Sequence, residues 1–191
     1  MVGLYIYGWG IALMVHASIG IAPWDVFAQG ISHQTHLSFG IASVVVSLIV
    51  LICWIPVKVK ALGIGTILNG IFIGVFCDLS MPLLPSLPNA LAQYATFVAG
   101  IVTVAFATGL YISSKLGSGP RDGLMVGLAK ATGRPLWLLR TATEATVLLI
   151  GWLMGGQIGF GTIIFAVTIG PLMQLSLRLF KFSTHREVEQ G

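Results

Sequence analysis

Long apolar runs alternate along the chain with short segments in which glycine and polar residues return. Six runs, 2–18, 39–57, 61–83, 95–113, 135–154 and 159–180, approach the roughly 20 apolar residues that a transmembrane helix needs. Two shorter and less apolar segments, 23–32 and 120–132, follow the first and fourth runs. Each is entered through a related motif, Gly20-Ile-Ala-Pro-Trp-Asp25 in one case and Gly117-Ser-Gly-Pro-Arg-Asp122 in the other. Glycine permits a sharp break, proline suits the first position of a helix, and an acid suits its first turn. Both motifs therefore predict a short helix that begins at a break. At about ten residues it is too short to span a bilayer. It either dips into the membrane from one side or lies on its surface, where Trp24 and Phe27 would serve as interfacial anchors. Irregular backbone within a bilayer needs protein or a cavity around it, and the glycine-rich approaches favour the inward-dipping reading.

The similarity between the two motifs extends along both halves. Gly30 and Thr35 recur as Gly127 and Thr132 at the same offset of 97. Leu51-Ile-Cys-Trp54 returns as Leu149-Ile-Gly-Trp152, and Gly63-Ile-Gly-Thr66 as Gly159-Phe-Gly-Thr162. Gly74 then corresponds to Gly170. The matches fall on Gly, Pro, Asp, Thr and Trp, not on interchangeable aliphatic positions, which identifies an internal duplication. Repeat 1 covers about 2–84 and repeat 2 about 95–180, with a polar tail at 181–191. Three spans per half is an odd number, so the second half must enter the membrane from the opposite face. The expected fold is an all-α membrane protein with a single membrane domain over 1–191. Its six transmembrane helices form two inverted three-helix repeats, each with a short re-entrant or interfacial helix. An axis in the membrane plane would superpose 4–80 on 101–176. Transporters built this way bind their substrates at the repeat interface near the midplane.

Composition agrees with a membrane location. Hydrophobic residues make up 56% of the chain, charged residues only 8%, and the mean hydropathy is +0.95. A soluble domain carries roughly a quarter charged residues, so a water-facing surface is excluded. The net charge of +4 is no nucleic-acid signal, because its placement follows topology. Lys58 and Lys60 join spans two and three, Lys115, Arg121, Lys130 and Arg134 join spans four and five, and Arg178, Lys181 and Arg186 close the sixth. The other connections hold no lysine or arginine. The positive-inside rule then places both termini in the cytoplasm. The first run lacks the basic start and cleavage site of a signal peptide and reads as a retained span. Cys53 and Cys77 approach opposite membrane faces, form no disulfide framework and fit no metal spacing.

No hydrolase elbow, zinc-protease motif or phosphate loop is present, so the chain does not read as an enzyme and implies no cofactor and no metal. His33 and His36 fall on an outer connection, while His16 near the end of span one is placed to face a cavity. Polar groups inside a membrane are costly and usually face an interior. The candidate substrate-binding set is Pro23, Asp25, Pro120, Asp122, Arg140, Glu144 and Asn69. The two aspartates either stabilise half-helix N-termini or contact a ligand. Arg140 and Glu144 stand four apart on one helix face, as a self-neutralising pair or as a substrate- or proton-coupling pair. Their counterparts in span two are read as Ala42 and Val46, so the pair breaks the symmetry. Arg121 reads as a cytoplasmic anchor or as an attractor for anions. Asn69 and Asp78 are the polar residues of span three, with Phe165 and Gln174 as counterparts. Gly70-Ile-Phe-Ile-Gly74 is a small-residue packing face, either internal or the seam of a homodimer.

These residues resemble the YczE/YyaS/YitT-type bacterial membrane proteins, nearest to the YczE branch. The resemblance rests on Gly20–Asp25 after the first span, Ser38-Phe-Gly40 opening the second, Gly63-Ile-Gly-Thr-x-x-Asn69 opening the third, and Gly117–Asp122 in the second half. It covers essentially the whole chain, with a short polar tail where YitT-type proteins often carry a soluble domain. It implies a bacterial cytoplasmic membrane. The expected function is transport of a small molecule or ion, with membrane lipid as the surroundings. The alternatives are a substrate-binding subunit of a multi-component uptake system and a non-transport protein supporting another membrane system.

Overall fold

The computed structural model describes residues 1–57, 63–112, 116–117 and 119–180. Its elements are α1 (Val2–Ala17), α2 (Pro23–Thr35), α3 (Phe39–Val57), α4 (Ile64–Ser80), a 3-10 turn (Met81–Leu83), α5 (Ala90–Ile112), α6 (Pro120–Thr132), α7 (Leu136–Leu153) and α8 (Phe160–Leu179). No strand occurs among the described residues. Five helices are long and apolar enough to cross a hydrocarbon core: α3, α4 with its 3-10 turn, α5, α7 and α8. α1 is equally apolar, but at 16 residues it is shorter than the span expected at 2–18. α2 continues to Thr35, three residues beyond the expected end at 32, before His36 stops it in a left-handed conformation. Lys58, Lys60, Ser113, Lys115, Lys181 and Arg186 lie outside the described residues, as does the tail at 181–191.

The breaks before α2 and α6 have a common cause. Gly20 has φ of +112° and Gly117 has φ of +128°, a backbone region that side chains disfavour. Ala22 and Gly119 are extended, and Pro23 and Pro120 after them occupy first helical positions, where a missing N–H costs nothing. Each break then docks against the opposite half. The Gly161 amide donates to the Ile19 carbonyl at 2.8 Å, and the Gly65 amide donates to the Leu116 carbonyl at 2.9 Å. A side chain added at Gly20 would strike Gly159 and Thr162, and one added at Gly117 would strike Thr66 and Gly63. The two Gly-x-Gly-Thr stretches are thus the seats into which the opposite half's break fits.

α1 and α5 form the centre of the bundle and run antiparallel, with Gly3 beside Tyr111, and Gly10 and Met14 beside Gly100. α1 packs on α4 as α5 packs on α8. α2 lies against α7 and α6 against α3. The interior is built from Ile11, Met14, Ile21, Val26, Val46, Phe97, Ile101 and Val104, while the exposed faces of α3, α7 and α8 are aliphatic and aromatic, as lipid-facing surfaces require.

One expected symmetry fails. α3 and α4 pack closely, with Gly40 against Gly74, so the small-residue face of α4 is internal. Asp78 fastens that contact, accepting from the Ser38 hydroxyl and, at 2.7 Å, from the Gly40 amide. α7 and α8 do not pack along one another among the described residues. A Cβ at Gly170, the counterpart of Gly74, would meet nothing within 4 Å.

Candidate functional site

The N-terminal turns of α2 and α6 are inside the bundle, so neither helix lies on its surface. Pro23, Trp24, Asp25 and Val26 are buried, as are Pro120, Gly123, Leu124 and Met125. Trp24 is therefore an interior residue and not the interfacial anchor the sequence offered as an alternative. The two turns meet. Arg121 Nη2 donates to Asp25 Oδ1 at 3.1 Å, a pair made across 96 positions, and its guanidinium lies 5.5 Å from the centre of the Trp24 ring. Arg121 thus has a structural partner in the opposite half, which neither the anchoring nor the anion-attracting reading foresaw. It neutralises an aspartate that is only 2% exposed, because a lone buried carboxylate would be expensive.

Around this junction is a cavity of about 100 Å³ to which every α-helix contributes. Tyr7 of α1, Ser43 and Ser47 of α3, Asn69 of α4, Thr108 and Tyr111 of α5, Arg121 and Asp122 of α6, and Arg140 and Glu144 of α7 supply its polar groups. Pro23, Trp24, Ile73, Pro120, Phe165 and Ile169 supply apolar wall. Asn69 hydrogen-bonds Tyr111, whose ring meets Tyr7 edge-on. The Trp54 indole donates to the Pro120 carbonyl at 3.0 Å, tying α3 to the start of α6. Trp24 Nε1 is buried and has no hydrogen-bond partner among the described residues.

Six of the seven sequence-predicted site residues therefore line one cavity: Pro23, Pro120, Asp122, Arg140, Glu144 and Asn69. Asp25 stands behind the wall in its pair with Arg121. Arg140 Nε donates to Glu144 Oε1 at 2.9 Å, so these two form the intrahelical pair, with side chains 47% and 29% exposed. Their register differs from the expectation. Ala42 and Val46 are fully buried in the core, and the α3 residues that line the cavity opposite the pair are Ser43 and Ser47. The offset of 97 set by the Gly-Pro-Asp motifs thus persists into the second span, and the extra residue comes later.

Asp122 makes no ion pair within 4 Å among the described residues, although Arg140 and Arg121 are its nearest sources of positive potential. The lining and its immediate backing hold three carboxylates and two guanidiniums, and Asp122 is the unmatched one. His16 does not reach the cavity. Its Nε2 donates to the Pro85 carbonyl at 2.8 Å, fixing the turn after α4. Sequence reasoning missed Tyr7, Tyr111, Trp24 and the role of Arg121. The available signal for Arg121 was its place in the motif, where the first copy has Trp24.

Comparisons with known proteins agree with this description. The family described as "Family of unknown function (DUF6198)" matches residues 1–178. An uncharacterized protein of Haemophilus influenzae is 38% identical over 188 residues, covering 98% of this chain and 85% of its own. The uncharacterized membrane protein YczE of Bacillus subtilis is 34% identical over 177 residues, covering 92% and 82%. YyaS of the same organism is 28% identical over 178 residues, covering 91% and 88%. No solved structure matches.

Proposed function

We propose that this chain, which belongs to the YczE-type DUF6198 family of membrane proteins, is a transporter for a small polar or ionic solute. The observation that carries this reading is the central cavity where two broken-helix N-termini meet, with Asp122 in its wall making no ion pair among the described residues. A scaffold has no use for charged groups held at such cost in an apolar bundle, whereas a transporter places its ligand groups there.

On this reading α1 is a sixth span, short because it sits at the bundle centre beside α5. The two halves are inverted repeats, an arrangement supported by the antiparallel α1–α5 contact and the reciprocal seating of the two breaks. The membrane is the bacterial cytoplasmic membrane with both termini inside, on the strength of the basic loops. Purified protein in proteoliposomes, challenged with a broad panel of solutes, should show saturable gradient-driven uptake or counterflow of at least one. Flux of none, under both inward and outward gradients, would overturn the reading. The alternative subunit role would show instead as binding without flux until a separate ATPase is added.

A further inference from the structure

We infer that the space between α7 and α8 is a lateral portal to the cavity, and that its substrate is an amphipathic organic amine arriving from the bilayer. The inference rests on the transporter reading and names its substrate class. In the first half the equivalent space is shut. Gly40 and Gly74 allow α3 and α4 to touch, and Asp78 bonds Ser38 and Gly40 across them. In the second half three of the four closing residues are replaced and only the glycine at 170 is kept. Trp137, 69% exposed, stands for Gly40, Pro135 for Ser38, and Gln174 for Asp78, while Gly170 faces open space. Pro171 follows inside α8, where it removes a backbone hydrogen bond and lets the helix bend beside the gap.

The gap's edges differ in chemistry. α8 brings Phe165, Ile169 and Met173 to the cavity, an apolar border for an alkyl or aryl tail. α7 brings Arg140 and Glu144, charged side chains on a helix whose other exposed residues include Leu136, Trp137, Leu149 and Trp152. Deeper in, Asp122 is the carboxylate with no ion-pair partner among the described residues, and the Trp24 ring already receives one cation on its face. A cation there is matched by charge, and a tail remains in the lipid-facing gap. An anion would meet the surplus of carboxylates. A proton and an amine would compete for Asp122, in surroundings set by Arg121, Asp25, Arg140, Glu144, Tyr7 and Tyr111.

The probe is radiolabelled dodecyltrimethylammonium, with protein in nanodiscs of phosphatidylethanolamine and phosphatidylglycerol and empty nanodiscs as blank. Saturable binding above the blank is expected, weakened at least tenfold by Asp122→Asn and weakened in the wild type as pH falls. Dodecyl sulfate should not compete, and tetramethylammonium should compete weakly because it lacks the tail. In a Cys53→Ser/Cys77→Ser background, bridging Trp137→Cys to Gln174→Cys within one chain with a bifunctional methanethiosulfonate, since the helices stand too far apart for a direct disulfide, should slow binding several-fold. Unchanged affinity in Asp122→Asn, competition by dodecyl sulfate, or disulfide-linked dimers through Trp137→Cys showing a second copy in the gap would each overturn the inference. Transport of a tail-free amine with no dodecyltrimethylammonium binding would overturn it too, and would leave the transporter reading standing.

Discussion

Arg121 and Asp25 show how much one contact decides. The pair crosses the two halves at the point where both helices begin, and removing one partner leaves a buried charge without compensation. Such losses cost about 3–5 kcal/mol, more than the intact pair contributes over neutral replacements. Arg121→Gln alone should therefore melt well below the wild type in detergent, and the double variant Arg121→Gln/Asp25→Asn should recover most of the loss. Equal melting of the single and double variants would mean that the carboxylate is not dependent on the guanidinium. Little of this pair was readable in the sequence. Arg121 sits beside basic residues that topology explains, and only a folded bundle brings position 25 to position 121. Gly20 and Gly117 were readable, because a glycine three residues ahead of a helix-starting proline has few other reasons to recur. Their positive φ values are the physical content of that recurrence.

The eight helices were largely legible because each long one is a continuous apolar run, and apolar runs report burial in lipid or protein directly. Boundaries were less so. α5 starts at Ala90, ahead of its most apolar stretch, since Asn89 receives the Ala92 amide on its side-chain oxygen and starts the helix early. Packing between elements was legible only at the small-residue face of α4. The same helix pair is closed in one half and open in the other, and the cause is three substitutions that look unremarkable in isolation. If Asp78 holds α3 to α4, Asp78→Asn should weaken a charge-assisted closure of roughly 1.5–3 kcal/mol. Spin labels at Ile41 and Val75, both exposed, should then report a longer and broader distance than in the wild type. An unchanged distribution would assign the closure to the Gly40–Gly74 contact alone.

At the scale of the molecule, two similar halves seat each other's breaks and enclose a cavity between them. The pseudo-symmetry of that frame came from the sequence through residues with backbone duties, Gly, Pro and Thr, which repeat. The cavity's chemistry came mainly from residues that do not repeat: Arg140 and Glu144 against Ser43 and Ser47, Asn69 against Phe165, Arg121 against Trp24. On the proposed transporter reading, a repeated frame would work in two orientations while an unrepeated site binds one ligand. Ser47 lines the cavity from α3 and carries no role in the pairings described. With Cys53→Ser and Cys77→Ser as background, Ser47→Cys in proteoliposomes should react with a membrane-impermeant cationic methanethiosulfonate added from either side. Reaction from both sides of one preparation is the predicted result; reaction from neither side, or from one side only, would contradict a cavity with alternating access.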